Sequence, residues 1–442
     1  MCDGVSRRQF MQVGGLAMFA GMPTLSLAEV LRADGLRGSS SDKAVIHIFL
    51  GGGPPHQDMW EIKTEAPAEL RGPFQEISTA VPGIRICEMF PQIARMADKF
   101  TFIRSVVGCD GRHCGFQCNS GRLHRERVSG SQWPAVGPAA AKLLGQRRPG
   151  VPPTVALAEK TQHLQWSDPG RAGFLGHAFE PFQTADGGCA NLTIREMNVD
   201  RFAARKRLLG DLAQRSTWAD NDPDALGTFQ QQAYDILSSN RLADAFDLSR
   251  EPQAVRERYG TGKPFKFQYD GAPTVNEQLL IARRLVEAGV RVVTLSYGRW
   301  DSHGDNEGLV RDHGPKLDQC VSALVEDLDE RGMLDDVTVL VWGEFGRTPK
   351  INKGGGRDHW PRVSCALLAG GGMNAGQAIG STTKDGGTAN DRPVHVQEVT
   401  ATVYHNLGIT VGDPRFVIHD KSGRPNFLLP SEYQSPMREL VG

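Results

Sequence analysis

The chain is expected to fold as an α/β domain with a central, mostly parallel sheet sandwiched by helices. Two observations carry that expectation. Short β-branched apolar runs alternate with stretches of helical periodicity, the order that a parallel sheet with crossover helices imposes. At 442 residues, with 39% hydrophobic and 23% charged residues, the chain can also bury a sizeable core.

The elements follow in order. "AVIHIFL" (Ala44 to Leu50) is rich in β-branched and large apolar residues and stops at "GGGPPHQD", so it predicts a buried strand. "FTFIRSVV" (Phe100 to Val107) predicts a second. In "TVNEQLLIARRLVEAGVRVVTLS" the residues Leu279, Ala282, Leu285 and Val286 share a helical face. Thr274 is placed to cap that helix, Gly289 to end it, and Val290 to Ser296 predict the strand that follows. "PKLDQCVSALVEDLDERG" sets Leu317, Val321, Leu324 and Leu328 on one face, with Gly332 as its stop. "VTVLVW" (Val337 to Trp342) and "VSCALLAG" (Val363 to Gly370) predict two more strands. Residues 191–270 are polar, lack β-branched runs and predict a mainly helical insertion or cap within a domain spanning 42–435. The 51 glycines and 26 prolines indicate many loops.

Residues 1–28 predict a twin-arginine export signal, followed by a linker over 29–41. Arg7 and Arg8 precede Phe10, a mild apolar stretch from Val13 to Leu27, and the small-x-small end Ser26-Leu27-Ala28. That stretch is too short and too glycine-rich for a stable membrane span, so the expected location is periplasmic or extracellular. A formal net charge of -1 and the lack of a long basic run argue against nucleic acid or an anionic membrane as partner. Of eight cysteines, Cys109, Cys114 and Cys118 crowd into "GCDGRHCGFQC" beside His113. In an oxidising compartment a disulfide is the default expectation there, because the C-x4-C-x3-C spacing is not that of a zinc finger.

The loops after the predicted strands carry the chemistry. His56 and Asp58 follow the first; Asp301, His303 and Asp305 follow the strand ending at Ser296; Glu344 follows Trp342, and Asp358 and His359 come shortly after in "GGGRDHWP". In open α/β sheets, ligands collect at the carboxyl ends of strands. Each loop alone has an ordinary reading. Asp301 can cap a turn, His303 can be a satisfied loop histidine, Glu344 can pair with Arg347, and Arg357 with Asp358. Repetition of carboxylates and imidazoles at three strand ends favours a divalent metal site instead.

Several blocks add a resemblance. "IFLGGGPPHQDMWEIKTEAPAELRGPF", "FTFIRSVV", "LLIARRLVEAGVRVVTLSYGRWDSHGDN", "LVEDLDERGMLDDVTVLVWGEFGRTP" and "GRDHWP" resemble, in order, the signature blocks of the bacterial domain-of-unknown-function family 1501. That family is placed in the alkaline phosphatase and sulfatase superfamily, which implies an alkaline-phosphatase-like fold with a metal site at the strand ends. The resemblance implies one or two divalent ions, Zn, Ca, Mn or Mg, on Asp58, Asp301, His303, Glu344 and His359, with His56 competing with Asp58 and Asp358 beside His359. No superfamily nucleophile is matched. The position falls near Asp110 and Gly111 in "VVGCDGRHCGFQCNSGR", which lacks the proline needed for formylglycine formation, and Cys114 beside His113 is the remaining thiol candidate.

The expected function is therefore an exported metal-dependent hydrolase of phosphate or sulfate esters that uses metal-activated water. Arg347, Arg357 or Arg112 would grip the anion and His113 would protonate the leaving group. The substrate would be a small-molecule or polysaccharide ester. The alternative is a non-catalytic exported metal- or anion-binding protein of the same fold, with sulfated or phosphorylated polysaccharide as its ligand class.

Overall fold

Nine strands among the described residues form one central sheet. A computed structural model describes residues 42–441 apart from 129, 159–160, 164–165, 167, 185–238 and 263–270. The predicted export signal, the linker and most of the predicted insertion lie outside the described residues. The strands are β1 (Ala44–Phe49), β2 (Phe100–Val107), β3 (Thr154–Ala156), β4 (Phe182–Gln183), β5 (Val292–Ser296), β6 (Val337–Trp342), β7 (Ser364–Gly370), β8 (Gln377–Ile379) and β9 (Val394–His395). Their order is β8-β2-β7-β6-β1-β5-β3-β4, with β9 also on β2.

All pairings are parallel except those of β7, which runs against both β2 and β6. The reason lies in the connection. A parallel neighbour needs a crossover, usually a helix, and residues 343–363 between β6 and β7 contain none. The chain therefore returns antiparallel. Those residues are free to serve as site loops.

The main helices are α1 (Pro91–Arg95), α2 (Phe116–Ser120), α3 (Val136–Leu144), α4 (Arg241–Phe246), α5 (Gln253–Tyr259), α6 (Glu277–Ala288), α7 (Asn306–Glu330) and α8 (Val396–Asn406). Successive strand residues point to opposite faces, and the two faces build separate cores. Ile46, Ile48, Val293, Leu295, Val339 and Val341 pack with Leu279, Leu285 and Val286 of α6 and Leu317, Val321, Leu324 and Leu328 of α7. Val45, Phe49, Val292, Leu340 and Trp342 pack on the other side with Ala139, Ala140 and Leu143 of α3 and Val399 and Val403 of α8. The result is helix, sheet, helix in three layers, as the alternation of the sequence predicts. Among the described residues, no helix is long and apolar enough to cross a membrane.

Element ends differ from expectation in three places. Asn276, not Thr274, stands at the N-terminus of α6, while the Asn276 side chain reaches instead to Tyr259 and Tyr297. Strand β5 begins at Val292, because the Val290 amide donates back to Leu285 and closes the end of α6. Helix α7 starts nine residues before Pro315, which it carries inside. Its first turn is capped by Asp305, whose carboxylate accepts from the Gly308 amide. The described residues 239–262 dock on α6 and α7 through buried charge, with Arg283 paired to Glu251 at 2.9 Å and to Asp327 at 2.8 Å.

Candidate metal centre

Strands β6, β1 and β5 are parallel neighbours whose carboxyl ends lie level, Phe49 standing opposite both Trp342 and Ser296. The three loops that leave them must therefore meet. The loop after β1 turns back at Gly52 with φ of 104°, and a Cβ at that position would lie 2.4 Å from the Asp301 amide nitrogen. Only glycine permits both the conformation and the approach. The Gly52 amide then donates to Glu344 Oε1 at 2.8 Å, joining the β1 and β6 loops.

Arg347 fastens the third loop. Its guanidinium, fully buried, donates to the carbonyls of Gly52, Gly53 and Arg357 and to Asp301 Oδ1. A short antiparallel pairing of Gly346–Arg347 with His359–Trp360 carries His359 to the same place. His113 arrives from the loop after β2.

Four side chains converge: His113, Asp301, His303 and His359, with one ligand atom from each within 4.8 Å of the others. Asp301 Oδ1 lies 3.1 Å from His303 Nε2, 3.3 Å from His359 Nε2 and 3.6 Å from His113 Nε2. The Nε2 atoms of His303 and His359 are 2.9 Å apart. Four donors at zinc–ligand lengths of about 2.0–2.1 Å in tetrahedral array stand roughly 3.3 Å from one another, so these spacings fit a small divalent ion. Burial works against the Asp301 charge, yet His359, Arg347 and His113 around it hold its carboxyl well below the usual carboxylate range.

Two carboxylates stand behind the imidazoles rather than beside them. Glu344 Oε1 lies 3.0 Å from His113 Nδ1 and also accepts from the Trp166 indole at 3.2 Å. Asp358 Oδ1 lies 2.7 Å from His303 Nδ1, and that hydrogen bond holds the Asp358 carboxyl below its usual range. This puts Glu344 and Asp358 in contact with ring nitrogens on the side away from the cluster.

Asp58 and His56 are placed elsewhere. Asp58 is fully buried and takes a two-pronged ion pair from Arg357 at 2.7 and 2.9 Å, plus a bond from Asn306 at 2.8 Å. His56, also buried, meets the Gly386 carbonyl at 2.8 Å through Nε2. The guanidinium groups of Arg347 and Arg357 are engaged inside the protein, which leaves Arg112, exposed beside His113, as the member of that predicted trio at the surface.

The expected disulfide is corrected. Cys109, Cys114 and Cys118 are free thiols. Burial pushes the Cys114 thiol up to about 11 and Cys109 to about 12, so neither supplies the thiolate that a nucleophile needs at neutral pH. His113, expected as a proton donor, sits in the cluster itself.

Sequence reasoning passed over four residues that shape the site. Arg299, one-fifth exposed, donates to the Asp301 carbonyl at 2.6 Å. Trp166 and Phe345 pack around His113, with ring centres 5.0 and 5.2 Å away. Asn352 donates to the His303 carbonyl at 2.9 Å and its Oδ1 accepts from the Gly354 and Gly356 amides. Arg299 was within reach, being next but one to Asp301. Trp166 was not, for its bond to Glu344 spans 178 residues.

The profile of the family described as "Protein of unknown function (DUF1501)" matches residues 42–428. This chain belongs to the DUF1501 family. No curated protein matches its sequence significantly. Among solved structures, the DUF1501 chain is similar to the PsFucS1 sulfatase of a Pseudoalteromonas species, at 14% identity and a TM-score of 0.35, covering 94% of this chain and 75% of that one. It is also similar to the phosphonate monoester hydrolase of Agrobacterium radiobacter, at 10% identity and a TM-score of 0.28 over 83% and 74% of the two chains. Identities and scores this low transfer neither residues nor activity.

Proposed function

We propose that this DUF1501 protein is an exported, metal-dependent hydrolase of phosphate or sulfate esters. The observation that carries the reading is the convergence of His113, Asp301, His303 and His359 from the loops that follow β2, β5 and β6. A divalent ion held there supplies Lewis acidity and makes a water nucleophile accessible near neutral pH. The ester class comes from the resemblance of the signature blocks to the alkaline phosphatase and sulfatase superfamily, and export from the paired arginines Arg7 and Arg8.

The protein's own groups have separable tasks. Arg347 neutralises and aims Asp301 from beneath. Glu344 and Asp358 turn the rings of His113 and His303. Arg112, exposed beside His113, is the cation that would meet an anionic ester. The protonated Cys114 favours a route without a covalent enzyme intermediate.

The test is turnover of aryl phosphate and aryl sulfate after loading with Zn, Mn or Ca, with Asp301→Ala beside the wild type. Expected is hydrolysis of one ester class, lowered at least about 100-fold in Asp301→Ala and retained in Cys114→Ala. Absence of turnover with every metal, unchanged by Asp301→Ala, would replace the enzyme with an exported binding protein.

A further inference from the structure

The hydrogen bonds behind the cluster decide which way its lone pairs face. A carboxylate only accepts, so Glu344 facing His113 Nδ1 and Asp358 facing His303 Nδ1 require a proton on each Nδ1. In the neutral rings, both Nε2 atoms then carry lone pairs, and both face Asp301 Oδ1, at 3.6 and 3.1 Å. The His359 Nε2 lies 2.9 Å from that of His303 and 3.3 Å from the same oxygen. Lone pairs facing a charged oxygen repel unless a proton or a metal cation lies between them, and one ion among the four donors answers all of these contacts at once. Glu344 is 3% exposed and its Oε1 also holds the Gly52 amide, so bringing that oxygen forward as a ligand would break the turn after β1.

We infer that this cluster is a single nitrogen-rich site that takes a borderline divalent ion, zinc or cobalt(II), in preference to calcium or magnesium, with Glu344 and Asp358 as positioning residues that fix the ring tautomers. The inference rests on the metal-dependent reading above and deepens it. Three imidazoles to one carboxylate is a donor set for zinc or cobalt; hard calcium and magnesium ions prefer oxygen, and calcium takes six or more ligands. Carboxylates that grip the far nitrogen of a ligand histidine raise its basicity and hold its plane, and losing one weakens the metal typically 10–100-fold.

The experiment uses the purified chain freed of metal by chelator dialysis and titrated with cobalt(II) alone, read by visible absorption. Expected is one equivalent bound with the intense visible bands of four-coordinate cobalt, displaced by one equivalent of zinc and unaffected by a thousandfold excess of calcium or magnesium. Asp301→Ala should abolish the bands. Asp358→Asn, whose carboxylate is half exposed, should keep the fold by circular dichroism yet bind cobalt 10–100-fold more weakly, as should Glu344→Gln. Displacement of cobalt by calcium or magnesium overturns the ion class and leaves metal-dependent hydrolysis standing. Unchanged affinity in folded Asp358→Asn overturns the positioning role. Failure to bind any of the ions overturns both this inference and the hydrolase reading beneath it.

Discussion

Asp58 and Arg357 are both wholly buried, and each satisfies the other in a two-pronged pair. Removing one partner leaves an uncompensated charge in the interior, which costs about 3–5 kcal/mol. Asp58→Asn should therefore lower stability by about 3 kcal/mol in urea unfolding while the folded protein still binds one equivalent of zinc. A variant of normal stability that loses its zinc would make Asp58 a ligand after all. The imidazole of His47 carries a different prediction. It accepts from the Trp342 indole at 2.8 Å, and burial pushes it down to about 4. The unfolded chain takes up its proton near pH 6.5, the folded chain only near 4, so the folded state holds fewer protons between these values. Stability should fall as pH drops from 6.5 to 4, this residue contributing about 3 kcal/mol. His47→Gln, which keeps an acceptor for Trp342, should flatten that slope in urea titrations across the range. An unchanged slope would assign it to other groups. From sequence, Asp58, among polar neighbours after a strand, looked like a ligand. Its actual partner is 299 positions away.

At the level of the element, the turn after β1 constrains the site closely. Gly52 combines a positive φ with a contact that leaves no room for a side chain. Gly52→Ala should cost on the order of 3 kcal/mol through strain and displacement of the Asp301 backbone, and should weaken zinc binding in the same variant. Normal zinc affinity at reduced stability would show that the turn serves the fold alone. The strands β2 and β6 were legible residue by residue and β1 to within one residue, since a run of β-branched and large apolar side chains bounded by glycine has few other solutions. The start of α7 was not. "NEGLVRDHGP" holds two glycines and a proline, and its helical state depends on packing against the sheet and on the Asp305 cap. Tertiary burial outweighs propensity there.

An ion held by the four donors would be coupled to the stability of the whole molecule, because they come from three separate loops that meet only in the folded chain. An ion that binds the folded state alone stabilises it by about 2.7 kcal/mol at a hundredfold excess over its Kd. Zinc should thus raise the thermal midpoint by a few degrees and chelator should reverse it. Asp301→Ala should show no such shift; an equal shift in that variant would place the ion at some other site. The sequence by itself determined the three-layer α/β plan, the helix faces that meet the sheet, and the strand-end loops where ligands gather. All of these are periodicities or local compositions, read over a few neighbouring residues. Only the tertiary structure decided which polar residues share a site: it drew His113 into the cluster, set Glu344 and Asp358 behind the rings, and committed Asp58, Arg347 and Arg357 to the interior. Those assignments depend on which strands become neighbours and on how burial forces each charge to find a partner, and both are settled by contacts hundreds of residues apart.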